Sequence, residues 1–278
     1  MTLQRLLIIL ALAISCAPGA ASAQAPAAKG GFEPYVGQPG KDVVWVPTPE
    51  AVVNRMLDMA KATPSDFLVD LGSGDGRTVI AAAKRGIRAM GVEFNPDMVA
   101  LANREAVRQG VADKVKFVNG DIFATDFSQA NIVTLYLLPS LNAKLRPKLL
   151  AMKPGTRVVS HAFNMADWEP DETATPEGRQ VFLWIVPAKA AGNWSLQQGG
   201  QPRQLTLQQN FQKLQGTLSW GGESLSLFDA RLRGDEIRFS ALEKSGTRYD
   251  FSGRVQNDAM SGTVRVNGQS SAWSASRR

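Results

Sequence analysis

The segment FLVDLGSGDGR, residues 67–77, contains the residues best suited to bind a ligand. Three glycines follow Asp70 at alternate positions: Gly72, Gly74 and Gly76. Glycine permits positive φ angles and leaves no Cβ between the backbone N–H groups and a ligand. A dinucleotide site would read G-x-G-x-x-G, but Arg77 occupies the position of its third glycine. Because the acidic Asp70 would repel a pyrophosphate, the segment predicts a ligand with a cationic end.

Other polar residues fall at or near the ends of further predicted strands: Glu93, Asp121, Tyr136 and His161. The carboxyl ends of parallel strands meet at one edge of a sheet, where such sheets bind ligands. Glu93 lies 17 positions after Gly76, and an acidic residue at the end of the second strand can bind both hydroxyls of a ribose. We therefore expect these residues to share one site with Asp70.

Apolar runs alternate with helix-forming segments between residues 43 and 189. The predicted strands are 67–69, 88–93, 115–119, 131–136, 157–163 and 180–186. The predicted helices are one opened by Pro49 with Thr48 as its cap, and then 78–86, 96–110 and 141–152. This alternation predicts an α/β fold with a doubly wound, mostly parallel Rossmann-like sheet. The segment VWVPTP, residues 44–49, could form a lid over the glycine turn. Within the polar loop 164–179, Trp168 and the acidic residues Glu169, Asp171 and Glu172 are expected to form a solvated loop, or alternatively to face a basic substrate.

The sequence pattern changes from about Ala190. From there, short runs in which apolar and polar residues alternate recur about every ten residues and are separated by Gly, Asp and Asn. Residues 190–278 therefore predict a small antiparallel β-barrel or sandwich of seven or eight strands, without catalytic residues. The expected core residues are Leu205, Leu207, Phe211, Leu214, Leu218, Phe228, Leu232, Ile237, Phe239, Phe251 and Val264.

The first residues are typical of a secretory signal peptide. Arg5 precedes the apolar run 6–14, which is too short to span a bilayer, and small residues at 21–23 predict cleavage after Ala23. An alternative is a lipoprotein site in which Cys16 is acylated. Residues 24–42 are expected to form a flexible N-terminus. The chain is thus predicted to be exported, to the periplasm or outside the cell, with no transmembrane segment once the signal is removed.

The composition of the chain limits the kinds of partner and site that it can have. The chain has 278 residues, 44% hydrophobic and 20% charged, which is ordinary for a globular protein. Its formal charge of +6 comes without a run of Lys or Arg, which argues against nucleic acid as a partner. The single cysteine is Cys16, so cleavage after Ala23 would leave no thiol nucleophile, disulfide or cysteine metal site. No metal site is expected.

Five segments carry a resemblance to a known family: WVPTP (45–49), DLGSGDGR (70–77), GVEFNP (91–96), LYLLP (135–139) and LRPKLLAMKPGTRVVSHAF (145–163). With them, the part from about Val43 to Pro187 resembles class I, seven-strand S-adenosylmethionine-dependent methyltransferases. It is most similar to the family that includes the mitochondrial lysine methyltransferases acting on the c-ring protein of the ATP synthase and on the ADP/ATP carrier. The chain departs from those members in its predicted secretory signal and its β-rich tail.

The resemblance implies S-adenosylmethionine as cofactor and assigns roles to residues. The implied cofactor-binding residues are Asp70, Gly72, Ser73, Gly74, Asp75, Gly76, Glu93, Asn95, Asp121 and Ile122. Within that set, Asp70 and the glycine turn would hold the amino-acid end of the cofactor, and Glu93 would bind its ribose. Asp121 and Ile122 would bracket the adenine. The candidates for the acceptor channel are Tyr136 and Pro139, with His161 as a possible acid or base, although a buried hydrogen-bonding role is its more common use.

Three functions stay open at this point. The first is methylation of a protein lysine or another amine. The second is a non-catalytic envelope protein that binds a ligand or partner on a methyltransferase-like fold. The third is O-methylation of a small molecule. The methyl acceptor is accordingly a protein or a small molecule.

Overall fold

The structure is a computed structural model that describes residues 32–278. The predicted signal peptide, its cleavage site, Cys16 and the first part of the predicted flexible N-terminus lie outside the described residues. Among residues 32–278, no helix is both long enough and apolar enough to cross a membrane.

The first sheet has seven strands. They are β1 (Phe67–Leu71), β2 (Arg88–Glu93), β3 (Val115–Asn119), β4 (Ile132–Leu135), β5 (Arg157–His161), β6 (Glu172–Ala174) and β7 (Val181–Ile185). Their order is β3-β2-β1-β4-β5-β7-β6, and all neighbouring pairs are parallel except the two that involve β7. The prediction of a doubly wound, mostly parallel sheet is confirmed. The short strand β6 was missed, because its three residues lie inside the polar loop 164–179.

Four helices cover this sheet: α1 (Glu50–Met59), α2 (Arg77–Lys84), α3 (Pro96–Arg108) and α4 (Pro139–Leu150). Successive residues of β1 point to opposite faces, so Leu68 packs with α1, α2 and α3, and Val69 packs with α4. The prediction that Thr48 caps the first helix was wrong. Pro49 is the residue before α1 and makes no side-chain cap, and the Thr48 hydroxyl bonds to His161 instead.

The second sheet contains nine strands, all antiparallel. They are β8 (Gly192–Gln198), β9 (Gln201–Asn210), β10 (Lys213–Trp220), β11 (Glu223–Ser226), β12 (Phe228–Arg233), β13 (Glu236–Leu242), β14 (Arg248–Gln256), β15 (Ala259–Val266) and β16 (Gln269–Arg277). Pairing of β16 with β8 and of β9 with β10 closes the sheet. Because β11 and β12 share the edge of β10, the ring amounts to eight strands. Of the two predicted architectures, the barrel forms.

The barrel interior holds most of the core residues expected from the sequence, together with Trp194, Val255 and Trp273. Two expectations were wrong. Phe228 is only half-buried and lies under the Arg248 guanidinium, and Phe211 packs against the core of the first sheet. Phe211 stands in the turn between β9 and β10, where alternation no longer decides which way a side chain points.

A buried junction joins the two sheets. Trp168 is fully buried, although the sequence placed it in a solvated loop. Its Nε1 donates to Gln212 Oε1 at 3.1 Å, and its ring stacks on Phe211 with centroids 5.9 Å apart. Gln212 Nε2 in turn donates to the Glu169 carbonyl at 2.7 Å. The barrel turn therefore covers Trp168, while Asp167 and Glu169 on either side of it stay exposed.

Candidate active site

A cavity of about 440 Å³ opens at the carboxyl ends of β1, β2, β3 and β4. Its volume is within the range typical of small-molecule and cofactor sites. The predicted site residues that line it are Asp70, Gly72, Ser73, Gly74, Asp75, Glu93, Asn95, Asp121, Ile122 and Tyr136. The sheet topology thus brings together residues that are up to 66 positions apart in sequence, as the ends of parallel strands require.

Three predicted residues do not line this cavity: Gly76, Pro139 and His161. Gly76 precedes α2, and a Cβ there would lie 2.7 Å from the Phe117 ring, so its lack of a side chain serves packing. Pro139 is the first residue of α4, where its fixed φ suits a helix start. His161 lies behind Tyr136, with the two ring centroids 4.0 Å apart.

The glycine turn is held against β2 by its backbone. The N–H groups of Gly72 and Ser73 both donate to the Val92 carbonyl, at 2.8 and 3.0 Å. Gly74 has a φ of +52°, and a Cβ at this position would lie 2.6 Å from Trp45 Nε1. Gly74 is therefore required both for its backbone angle and for the close approach of the indole.

The segment that provides Trp45 covers the cavity. Residues 38–48, which we call the lid segment, all contribute to the cavity wall. The sequence placed residues 24–42 in a flexible N-terminus, but Gly37 N–H donates to the Trp45 carbonyl at 2.9 Å and Trp45 N–H donates to the Gln38 carbonyl at 2.9 Å. The lid therefore begins earlier in the chain than VWVPTP.

Glu93 stands where the turn meets the second strand. Its Oε2 accepts the Gly74 N–H at 2.9 Å, and its Oε1 accepts the Asn95 N–H at 2.8 Å. Asn95 in turn caps α3 by accepting the Asp97 N–H at 2.9 Å. Each carboxylate oxygen of Glu93 keeps a free lone pair, so the side chain is oriented and can still accept hydrogen bonds from two ligand hydroxyls.

Asp70 is a buried carboxyl at the end of β1. Burial, and to a smaller extent the nearby carboxylates of Glu93 and Asp75, raise its pKa to about 7 against the opposing effect of the hydrogen bond from Thr134. Thr134 Oγ1 donates to Asp70 Oδ1 at 2.6 Å. The sequence did not single out Thr134, although the adjacency of β1 and β4 places it directly opposite Asp70. A cation arriving beside Asp70 would stabilise the ionised form.

Asp121 follows β3 and is held from two sides. Its Oδ1 accepts the Phe123 N–H at 2.8 Å, and Lys41 Nζ donates to its Oδ2 at 2.6 Å. These bonds lower the pKa of Asp121, the one with Lys41 most. Lys41 also lies over the Phe94 ring, 4.5 Å from its centroid. Sequence reasoning missed Lys41, because it lies in the part of the chain predicted to be flexible.

Aromatic residues form the far end of the cavity. Tyr136 and Phe163 both line it, with ring centroids 6.0 Å apart. Behind Tyr136, His161 Nδ1 bonds to Thr48 Oγ1 at 3.2 Å. Burial and the charge of Arg179 lower the pKa of His161 to about 4, so its ring is neutral at pH 7. A neutral, buried imidazole behind an aromatic wall fits the hydrogen-bonding role better than that of an acid or base.

Asp75 and Arg77 tie the lid to the glycine turn. Arg77 Nη2 donates to Asp75 Oδ2 at 2.6 Å, and Arg77 Nη1 donates to the Thr48 carbonyl at 3.1 Å. Asp75 precedes Gly76, the N-cap of α2, and its Oδ1 accepts the Arg77 N–H at 3.3 Å. Arg77 thus connects Asp75, at the cavity wall, to Thr48 at the end of the lid segment.

The donor set of the cavity fits S-adenosylmethionine. The cofactor carries an ammonium, a carboxylate, two ribose hydroxyls and an adenine. Asp70 offers a buried carboxyl for the ammonium, the positive-φ glycines leave no side chain between the turn and a ligand, and Glu93 has free lone pairs for the ribose hydroxyls. Within residues 32–278, no group of three or more His, Cys, Asp or Glu side chains could hold a metal ion.

Comparison with known proteins gives consistent matches over the first part of the chain. A family model described as the ANTKMT methyltransferase domain matches residues 70–172. A protein-lysine N-methyltransferase from Saccharolobus islandicus is 44% identical over 153 residues, which are 52% of this chain and 94% of that protein. The adenine nucleotide translocase lysine N-methyltransferase of Mus musculus is 37% identical over 139 residues, but the match spans only 56% of its length.

Among solved structures, the chain is similar to one described as an RNA methyltransferase from Salinibacter ruber in complex with S-adenosyl-L-homocysteine. The two share 52% sequence identity with a TM-score of 0.51, over 52% of this chain and 96% of that one. The ligand in that structure is the demethylated form of the cofactor. The prediction that the cofactor is S-adenosylmethionine is therefore confirmed, because the matching family consists of methyltransferases that use it.

Proposed function

The chain belongs to the S-adenosylmethionine-dependent protein-lysine N-methyltransferase family, and we propose that it methylates the side-chain amine of a lysine in another protein. The single observation that carries this proposal is the aromatic end of the cavity, where Tyr136 and Phe163 form the wall and the only histidine is buried and neutral. This end offers an acceptor little besides desolvation, which is what an amine nucleophile needs.

The bound cofactor supplies a methyl group on a cationic sulfur, ready for in-line displacement by a nucleophile. A lysine with the ordinary pKa of about 10.4 is neutral in roughly one molecule in 2,500 at pH 7. Desolvation beside the cationic sulfur disfavours the charged amine and lowers its pKa. The protein therefore needs no general base, provided that it aligns the amine and excludes water.

The chain's own residues would divide this work between two ends of the cavity. Asp70 and the glycine turn would hold the amino-acid end of the cofactor, and Glu93 would bind its ribose. Asp121 and Ile122 would bracket the adenine. Tyr136 and Leu138, at the carboxyl end of β4, would guide the acceptor.

Charge favours a cationic acceptor over a nucleic acid. Five of the charged residues that line the cavity are acidic and two are basic. Both basic residues are paired with a lining carboxylate, Lys41 with Asp121 and Arg77 with Asp75, each at 2.6 Å. RNA, named for the Salinibacter protein, would bring phosphates toward this negative opening. The other two functions left open by the sequence gain no support from the comparisons or the site.

The test is transfer of an isotopically labelled methyl group from the cofactor to a panel of proteins and to RNA. After acid hydrolysis, we expect the label in methyllysine, and we expect Gly74→Val to abolish transfer. Label in RNA nucleosides and none in methyllysine would contradict the proposal and indicate RNA as the acceptor.

A further inference from the structure

Exposed apolar side chains are concentrated around the opening of the cavity. Within residues 32–278, eight large hydrophobic side chains are exposed. Four of them line the cavity: Val44, Val46, Phe94 and Leu138. Two more, Tyr35 and Val36, directly precede Gly37, whose N–H is bonded to the Trp45 carbonyl. We call these six residues the apolar rim.

The exposure is substantial where an acceptor would arrive. Val44 is 56% exposed, Val46 37% and Leu138 42%. Val44 and Val46 flank Trp45, whose indole lies against Gly74 at the methionine end of the predicted cofactor site. Leu138 follows Tyr136 by two residues at the end of β4. Exposed apolar side chains gathered at one cavity mark a site of interaction with a partner.

We propose that the apolar rim binds the polypeptide on both sides of the acceptor lysine, so that the preferred substrate is a lysine flanked by apolar residues. This inference rests on the proposed function. An apolar flank would bury the rim and exclude water from the entrance. The same burial would help to remove the proton of the incoming ammonium, because a desolvated lysine has a lower pKa.

The charges at the opening distinguish this partner from a lipid surface. Asp42, on the lid segment, makes no ion pair with any residue from 32 to 278. Asp70 and Glu93, deeper in the cavity, are likewise without a basic partner in that part of the chain. Anionic headgroups would be repelled by this arrangement, whereas a lysine side chain between apolar neighbours matches both the charge and the rim.

The test uses two peptides of equal length with one central lysine. One peptide carries Leu and Val at the four positions on each side of the lysine, and the other carries Ser and Gln at the same positions. Both carry the same solubilising groups at their ends. At saturating cofactor, we expect kcat/KM for methyl transfer to be at least tenfold higher for the apolar peptide. The double variant Val44→Ser/Val46→Ser should reduce this ratio to about threefold or less.

A matched control removes exposed apolar side chains elsewhere. Val107, on α3, and Leu242, at the end of β13, are 68% and 52% exposed and do not line the cavity. The variant Val107→Ser/Leu242→Ser should keep the wild-type preference. Equal rates on both peptides, or a preference that survives Val44→Ser/Val46→Ser, would overturn the inference while leaving lysine methylation intact.

Two further outcomes separate the inference from its alternatives. Binding to phosphatidylcholine vesicles that is lost in Val44→Ser/Val46→Ser, together with no preference between the peptides, would make the rim a lipid contact and overturn the inference. Absence of methyllysine from every peptide and protein, with cofactor binding retained, would instead overturn the proposed function itself.

Discussion

Cofactor affinity should depend on pH through Asp70. The unliganded carboxyl has a pKa of about 7, because it is buried and lies near Glu93 and Asp75. A bound ammonium favours its ionised form, so binding below pH 7 must remove a proton. The affinity for the cofactor therefore falls as the pH falls through 7. His161 does not contribute, because its pKa of about 4 keeps it neutral over this range.

The magnitude can be worked from the ionised fractions. With a pKa of about 7, roughly 70% of Asp70 is ionised at pH 7.4 and roughly 3% at pH 5.5. An α-ammonium with a pKa of about 7.7–8.0 is roughly 70% protonated at pH 7.4 and almost fully protonated at pH 5.5. The two changes combine to make the cofactor bind about fifteenfold more weakly at pH 5.5 than at pH 7.4.

The assay is calorimetric titration with S-adenosylmethionine at pH 5.5, 6.5 and 7.4 and constant ionic strength. Repeating the pH 6.5 titration in two buffers of different ionisation enthalpy should show release of about 0.7 proton per cofactor bound. The variant Asp70→Asn should bind more weakly at pH 7.4 but vary by about twofold or less down to pH 5.5. A flat profile for the wild type, or a fifteenfold change that persists in Asp70→Asn, would refute the assignment of the ammonium to Asp70.

Three further predictions concern the turn, the leader and the barrel. Gly74→Val should abolish cofactor binding, because the valine side chain would clash with the Trp45 indole and the positive φ disfavours a β-branched residue. Retained affinity in a titration would contradict this prediction. Intact-mass analysis of the exported protein should show a mature N-terminus at Gln24, whereas a diacylglycerol adduct on Cys16 would select the lipoprotein alternative. A chain cut near Ala190 should keep cofactor affinity within about threefold, because the cavity contains no barrel residue. The same cut should lower the melting temperature, since Trp168 loses Phe211 and Gln212, and an unchanged melting temperature would show that this junction contributes nothing.

The sequence was sufficient for the parts of the molecule that regular patterns control. Strands β2 and β3 have the bounds that alternation predicted, and the glycine turn follows β1 as expected. Asp70, Glu93 and Asp121 meet at one cavity because parallel strands end at one edge of the sheet. These features depend on local periodicity and on the small number of strand orders that the rules of chain connection allow.

The sequence was insufficient where tertiary contacts decide. Trp168 looked solvated among acidic neighbours, but the barrel turn that covers it is more than forty residues further along the chain. Lys41 stood in an Ala-, Gly- and Pro-rich stretch, and its bond to Asp121 spans 80 positions. Thr48 is a residue type that commonly caps helices, yet its hydroxyl bonds to His161. In each case a long-range partner replaces the local role that composition suggests.

The most direct test of the account is a calorimetric titration of the purified protein with S-adenosylmethionine and with its demethylated product, followed by the same titrations of Gly74→Val. We expect each ligand to bind the wild type with one site per chain, and neither to bind the variant. Absence of binding to the wild-type protein, or unchanged binding to Gly74→Val, would contradict the assignment of the cavity at residues 70–76 as the cofactor site.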